Sequence, residues 1–471
     1  MSEGLNEECG LIGIFGLEEA SQYAFRGLRA LQHRGQESAG ISASDEITIR
    51  NHVAMGLAHQ IFNKQILESL PGSKSIGHNR YSTSGQSALC NAQPLLLRTR
   101  FGQLAIAMNG TIVNAPELTA ELTQGGAIFV SSTDTEILAH LVSRSHQPDF
   151  ETALIESLGR LQGAFCFLIL REKTLVAVRD PAGYRPLSLG HLNGATVVAS
   201  ETCAFYAPGI KAAYEREIEP GEILFCSPSG RTSLRPFPPA TRSECVFEHV
   251  YFSRPNYPVF GREPAKTRLA LGRILGRESP ITDAIIVPVP DSGLFAAQGF
   301  AEAAGLPLCF GLTRDHYVGR TFIEPRQTDR ENDVEVKLCP VPFLIRGKRV
   351  VLVDDSIVRG TTCRRIVRMV RTAGAAEVHL RISSPPYKYP CFYGVDTPNR
   401  AKLAASSMTV EEVRQFVEAD GLAYISLPGL KEACNEPTDG TSLHCFSCFD
   451  GNYNAAADLI QLRLDHPPAK L

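Results

Sequence analysis

The sequence predicts an α+β first half, built on mostly antiparallel sheet, followed by an α/β second half with a mainly parallel sheet. Three observations carry this. Short apolar runs at Gly163 to Leu170, Leu175 to Val178 and Ala195 to Ala199 are separated by turns such as Asp180-Pro181-Ala182-Gly183, which suits antiparallel strands layered with helices. The proline-rich stretch Leu234-Arg235-Pro236-Phe237-Pro238-Pro239-Ala240-Thr241 reads as a linker, and strand–helix alternation begins after it. Finally, the run Val350 to Val353 suits a strand buried on both faces of a parallel sheet.

Composition sets the outer limits. A chain of 471 residues should hold two or three domains of about 100–200 residues each. Its 44% hydrophobic and 21% charged residues are those of a globular protein. A net charge of -3 gives no global case for nucleic acid or an anionic membrane surface. No apolar run approaches the ~20 residues of a membrane helix. Met1 to Glu8 is acidic and has no apolar core, unlike a secretory leader or a basic transit peptide. The expectation is a cytoplasmic protein whose thirteen cysteines are reduced thiols, metal ligands or catalytic groups rather than disulfides.

Cys9 stands at the start of the short apolar strand Gly10-Leu11-Ile12-Gly13-Ile14-Phe15-Gly16. If Met1 to Glu8 were removed, its α-amino group, with a pKa near ~8, would be available as general base for its own thiol. The competing reading is a small buried core residue. An apparent helix from Ala20 to Leu31 leads into the polar, glycine-punctuated loop Leu31 to Gly40, and a second such loop runs from Gly77 through Arg80 to Gly85. Ala105 to Asn114, containing Asn109-Gly110, reads as strand, turn, strand. Ser131 to Glu136 begins a helix with Asp134 in its opening turn.

In the second half, Ala284 to Pro290 reads as a buried strand. It is followed by Asp291-Ser292-Gly293 and a helix from Leu294 to Ala304. Val350 to Val353 leads into Asp354-Asp355-Ser356, then Arg359-Gly360-Thr361-Thr362 opens another helix. Open α/β sheets bind ligands at the carboxyl ends of their strands. Free backbone N–H groups at a helix N-terminus attract anions. Paired acids beside such a cradle suggest a sugar phosphate, with its hydroxyls on the acids and its phosphate on the loop. Four further cysteines lie late or in aromatic settings: Cys245, Cys391, Cys445 and Cys448, the last two as C-x-x-C. Spacing alone leaves redox activity, zinc, an iron–sulfur cluster or no ligand open.

These motifs resemble known families. Cys9 with the four segments after it, up to about Pro236, resembles the glutaminase domain of class II glutamine amidotransferases, which are four-layer αββα N-terminal nucleophile hydrolases. The resemblance implies Cys9 as nucleophile, Asn109 and the Gly110 N–H as oxyanion hole, Arg80 on the glutamine carboxylate and Asp134 on its ammonium. Met108 and Thr111 stand where that family often has His and Asn. His33 and Arg34 are read as supporting structure. The segment around Asp354 and Asp355 resembles the phosphoribosyl pyrophosphate (PRPP) motif of type I phosphoribosyltransferases. That likeness implies PRPP contacts from Asp354, Asp355, Ser356, Arg359, Gly360, Thr361 and Thr362. It further implies Mg²⁺ near Ser292, Asp354 and Asp355, and a lid bearing Arg320 and Lys337 on pyrophosphate.

The order of the two halves is similar to that of the amidophosphoribosyltransferases, and Cys245, Cys391, Cys445 and Cys448 resemble the cluster ligands of their iron–sulfur class. It implies residues 1–8 as a propeptide, 9–235 as the glutaminase domain and 236–471 as the phosphoribosyltransferase domain. The four cysteines would then hold a structural 4Fe–4S cluster, the remaining eight cysteines other than Cys9 would pack, and the assembly would be a homotetramer inhibited by purine nucleotides. Two other readings stand beside this: a class II amidotransferase with a different ammonia acceptor, and a PRPP-sensing regulator. Asp354-Asp355 argues against the first. The lack of any basic helix or wing argues against the second.

Overall fold

The computed structural model describes residues 9–81, 87–314, 338–397, 399–439 and 441–465. Met1 to Glu8, Arg320 and Lys337 lie outside the described residues.

Thirteen strands build the first half: β1 (Gly10–Phe15), β2 (Ser38–Ser44), β3 (Ile49–Met55), β4 (Lys74–Arg80), β5 (Leu95–Thr99), β6 (Gly102–Ile112), β7 (Gly163–Leu170), β8 (Leu175–Arg179), β9 (Ser188–Leu192), β10 (Ala195–Ala199), β11 (Ala213–Glu217), β12 (Ile223–Ser227) and β13 (Gly230–Leu234). They form a seven-stranded sheet, β11-β9-β10-β1-β4-β2-β3, and a six-stranded sheet, β13-β12-β8-β7-β6-β5. Every pairing in both is antiparallel.

Side-chain alternation explains the stacking. On β1, Leu11 joins Ala105, Leu168, Leu175 and Val198 between the sheets. Ile12 and Ile14 face outward and pack with Ala24 and Leu28 of the helix Ala20–Ala30. On the far side, Ile106, Phe167 and Val178 pack under the helices Ala115–Gln124, Thr135–Arg144 and Phe150–Leu158. The result is helix–sheet–sheet–helix, four layers, with both sheets buried on both faces. That explains why their strands read as unbroken apolar runs.

One local expectation fails. Asn109-Gly110 is not a turn: β6 runs unbroken through it, with Asn109 opposite Cys166 and Gly110 opposite Phe165. Gly110 adopts φ 136°, and a Cβ there would lie 2.1 Å from the Ala164 carbonyl oxygen. The glycine serves a close backbone approach inside the sheet rather than a hairpin.

Residues 235–241 are largely exposed and belong to no strand or helix. Beyond them come β14 (Glu244–Cys245), β15 (Ile285–Pro288), β16 (Leu312–Arg314), β17 (Leu338–Pro340), β18 (Arg349–Asp354), β19 (Glu377–Ile382), β20 (Gly421–Tyr424) and β21 (His444–Cys445). The sheet β15-β18-β19-β20 is parallel throughout. Alternation again divides its faces. Ile286, Val351 and Val353 pack with Leu271, Leu275 and Phe300; Val287, Val350 and Leu352 pack with Ile366, Val367 and Val370 of the helix Thr361–Thr372.

The helices Pro264–Glu278 and Leu294–Ala304 cross at glycines. A Cβ on Gly272 would fall 1.9 Å from the Ala296 carbonyl oxygen, and one on Gly299 would fall 2.1 Å from that of Leu269. Gly272→Ala should therefore cost about 1–3 kcal/mol through overpacking, read as a lower urea midpoint. An unchanged midpoint would show that the helix pair can separate freely.

Candidate active site

Cys9 is placed by the register of β1. Gly10 lies opposite Asn79 on β4, which sets Cys9 level with Arg80 at the end of the same two strands. The Cys9 Sγ lies 3.6 Å from the Tyr81 carbonyl oxygen, and its own carbonyl accepts from Arg34 Nε at 3.2 Å. Burial pushes the thiol up to about 11, although the Tyr81 carbonyl and the Arg80 and Arg34 guanidiniums pull the other way. Arg80 donates to Glu37 at 2.9 Å. His78 Nε2 lies 3.1 Å from the Met108 carbonyl oxygen, and this contact sets the end of β4 against β6 where Asn109 and Gly110 follow.

Asn109 is 1% exposed, and both polar atoms of its side-chain amide lack a partner among the described residues. Burying such an amide unpaired costs about 1–3 kcal/mol, so its position calls for a ligand. Asp134 is also buried, with Oδ2 accepting from the Ile112 N–H at 2.8 Å. Burial raises its carboxyl to about 6, against the opposing pull of that N–H and, more weakly, of Arg80.

The second cluster lies at the carboxyl end of β18, as open α/β sheets require. Asp354 and Asp355 are each 8% exposed. Burial and mutual repulsion hold the Asp354 carboxyl well above the usual range. Burial also raises that of Asp355, although Ser292, Ser356 and Arg268 favour its charge. The Ser356 hydroxyl donates to Asp355 at 2.5 Å, and the Ser292 hydroxyl reaches both acids. Two carboxylates and a hydroxyl are hard oxygen donors, the set that suits Mg²⁺. Arg359 and Gly360 bridge from the strand end to the N-terminus of the helix Thr361–Thr372, with Gly360 at φ 84° as its cap.

The four singled-out cysteines meet. Cys245 and Cys445 are direct neighbours on the parallel pair β14–β21. With Cys391 and Cys448 they line one pocket walled by Phe247, Tyr387, Tyr393 and Val395. Burial pushes the Cys245 thiol to about 12 and that of Cys445 to about 11, and the neighbouring thiols add to each shift. His33, Glu201 and Cys203 converge within 4.8 Å. Glu201, however, already accepts from Arg34 Nη1 at 2.5 Å and from the Arg254 N–H at 3.1 Å, so cationic and N–H donors occupy its oxygens.

Sequence reading missed the bridge between the halves. Arg34 donates to Glu201 and, through two nitrogens at 2.9 and 2.6 Å, to Glu248. All three side chains are at most 1% exposed. Glu248 opens a π-helical turn, Glu248–Phe252, whose His249 and Tyr251 carbonyls, with that of Ser253, accept from Arg268. Arg268 in turn favours the charge of Asp355. The available signal was chemical: Glu201 and Glu248 are acids within apolar surroundings, which require a partner.

Two family models match the chain: a glutamine amidotransferase domain over residues 78–207 and a phosphoribosyl transferase domain over residues 267–383. The amidophosphoribosyltransferase of Bacillus subtilis (strain 168) is 48% identical over 453 residues, covering 96% of this chain and 95% of its own. The chain belongs to the amidophosphoribosyltransferases. The chloroplastic amidophosphoribosyltransferase 1 of Arabidopsis thaliana is also 48% identical, over 95% of this chain and 78% of its own. Among solved structures, the glutamine PRPP amidotransferase of B. subtilis complexed with ADP and GMP superposes with a TM-score of 0.90 at 46% identity, covering 95% of this chain and 98% of that one. The match spans both halves, so a glutaminase serving a different acceptor and a non-enzymatic regulator both fall away.

A raised thiol is a slow nucleophile. In the 471-residue chain, iodoacetamide near neutral pH should label exposed Cys90 and Cys339 well before Cys9. Peptide mass mapping would show the order, and equal labelling would contradict the burial argument.

Proposed function

We propose that Cys9 hydrolyses glutamine in the first half and that the ammonia released displaces pyrophosphate from PRPP in the second. The enzyme is a glutamine-dependent amidophosphoribosyltransferase of purine biosynthesis, and the proposal assigns residues to its two half-reactions. The observation that carries the assignment is the buried, unpartnered amide of Asn109 beside the Cys9 strand end.

In the glutaminase step, removal of residues 1–8 would expose the Cys9 α-amine as base for its thiol. The thiolate attacks the side-chain amide carbon, and the developing oxyanion is met by the Asn109 amide and the Gly110 N–H. Each such donor is worth about 3–4 kcal/mol in comparable sites. Arg80 clamps the α-carboxylate, and ionised Asp134 holds the α-ammonium. Water then releases glutamate from the thioester.

In the transferase step, Asp354 and Asp355 hold the ribose hydroxyls, and Ser356 with Arg359 to Thr362 holds the 5-phosphate at the helix N-terminus. Mg²⁺, held by Ser292, Asp354 and Asp355, would offset charge on the pyrophosphate. Arg320 and Lys337 are assigned to the same pyrophosphate from a lid that excludes water. Ammonia is mostly protonated at neutral pH, so a closed apolar passage between the two sites completes this reading. Cys245, Cys391, Cys445 and Cys448 are assigned to a structural 4Fe–4S cluster, supported by the one pocket that all four line. Feedback inhibition by purine nucleotides is supported by the ADP and GMP named with the B. subtilis relative, and the assembly is read as a homotetramer. A cytoplasmic setting is supported by the unpaired state of all thirteen cysteines. Among the described residues, no helix is long and apolar enough to cross a membrane.

The test is paired release of glutamate and pyrophosphate from glutamine, PRPP and Mg²⁺ in oxygen-free protein. Cys9→Ala should lose the glutamine-driven reaction and keep the ammonia-driven one; Asp354→Asn with Asp355→Asn should lose both. Glutamate release with no pyrophosphate would overturn the acceptor assignment.

Asp134 gives a pH signature. Ammonium binding needs its ionised form, and its carboxyl is raised to about 6. Below that point the ionised fraction falls, so kcat/KM for glutamine should drop about fivefold between pH 6 and pH 5. Asp134→Asn should remove this limb at the cost of affinity. A profile unchanged by the substitution would assign the limb elsewhere.

A further inference from the structure

The cysteine-bearing segment of the second half touches the oxyanion hole of the first. Gly394, three residues after Cys391, is buried with φ 106°. A Cβ on it would lie 2.9 Å from the Gly110 Cα, 3.1 Å from the Gly110 carbonyl carbon and 3.0 Å from Arg185 Nη2. Gly110 is pressed from another side as well, since its own Cβ would fall 2.1 Å from the Ala164 oxygen. Its peptide is therefore caught between β7 and Gly394, with no room for a methyl group at either glycine.

The segment that presses on Gly110 is itself fixed at several points. The Tyr393 carbonyl accepts two bonds from the fully buried Arg185, one from Nε at 2.8 Å and one from Nη2. The Tyr393 ring stacks on Tyr184 at 4.2 Å, and its hydroxyl donates to the Ala455 carbonyl at 2.8 Å. The Tyr393 N–H donates to Cys391 Sγ at 3.3 Å. Cys391 to Gly394 thus forms a hook rooted in the four-cysteine pocket, with its tip on Gly110.

We propose that Gly394 is a positioning residue for the glutaminase step, holding the Gly110 peptide where its N–H meets the developing oxyanion. The proposal rests on the reading of Gly110 as an oxyanion donor. It gives the cysteine pocket a role in the distant half-reaction: a change that shifts Cys391 shifts the hook, and glutamine use suffers before ammonia use does. A hook of this kind acts on the transition state and not on the bound substrate, so its loss belongs in kcat.

Gly394→Ala tests this directly. Losing an oxyanion donor costs about 100- to 1,000-fold; a displaced one should cost 10- to 100-fold in kcat for glutamine hydrolysis. KM for glutamine and the ammonia-driven synthesis should each stay within about twofold. A binding measurement gives an independent readout. Glutamate γ-semialdehyde adds the Cys9 thiol across its aldehyde: a C–S bond forms, the C=O π bond breaks, and the thiol proton ends on the new hydroxyl. That oxygen occupies the hole, so affinity for the aldehyde should fall with kcat while affinity for glutamate holds. Gly347→Ala controls for backbone strain, since Gly347 has φ 70° and a Cβ there meets nothing within 4 Å. Unchanged kcat in Gly394→Ala overturns the proposal. So does loss of ammonia-driven synthesis in parallel, or an equal loss in Gly347→Ala. Native protein that fails to use glutamine, or a Cys9→Ala variant that still uses it, would instead defeat the underlying assignment of Cys9.

Discussion

Arg34 is a guanidinium sealed from water between Glu201 of one half and Glu248 of the other, and the rest of the structure depends on that arrangement. Burial would neutralise the acids and the guanidinium alike. The pairing prevents this: although burial pushes Glu201 up, His33 and Arg34 bring it down to about 2, and Arg34 likewise holds Glu248 below its usual range. Such a cluster is weak evidence for net stability, but breaking it by removing one partner strands a buried charge, at about 3–5 kcal/mol. Its worth is in specifying one relative placement. Arg34 Nε holds the Cys9 carbonyl, Glu248 holds Arg34, and the turn that Glu248 opens holds Arg268 near Asp355. Buried polar contacts therefore run from the Cys9 carbonyl to Arg268, whose charge in turn acts on Asp355.

The two clusters use burial in the same way. A buried thiol, a carboxyl lifted to about 6 and two adjacent acids that repel each other are all uncomfortable without ligands. Under the proposed assignment each discomfort would be relieved by a definite chemical group: a base, an ammonium, a divalent cation. The same logic applies to Cys245, Cys445 and Cys448, whose burial favours the neutral thiols until something withdraws their protons. Sites prepared in this way bind by relieving their own cost, which is why perturbed groups gather where chemistry occurs.

Much of this was legible in the sequence because it is local. The run Val350 to Val353 had to be a buried parallel strand, and the acids after it had to stand at its carboxyl end. The helix Leu294–Ala304 was read to the residue. Asn109-Gly110 misled, since Asn-Gly within alternating apolar residues is a strong hairpin signal. Here the glycine answers a carbonyl on a neighbouring strand, a cause invisible along the chain. The Arg34 bridge and the Gly394 contact escaped for a similar reason: 214 residues separate Arg34 from Glu248, and no periodicity spans the two halves. A buried charge can be suspected from its apolar neighbours, but its partner is set by tertiary packing.

The central claim is that the position of Cys9 is held from both halves through Arg34. Native-state hydrogen exchange in a Glu248→Gln variant tests it most directly, because local opening is read amide by amide. The account predicts that protection falls together at Gly10 to Ile12 and at the Glu248–Phe252 turn. Loss confined to the turn, with the Cys9 strand as protected as in the native protein, would contradict it.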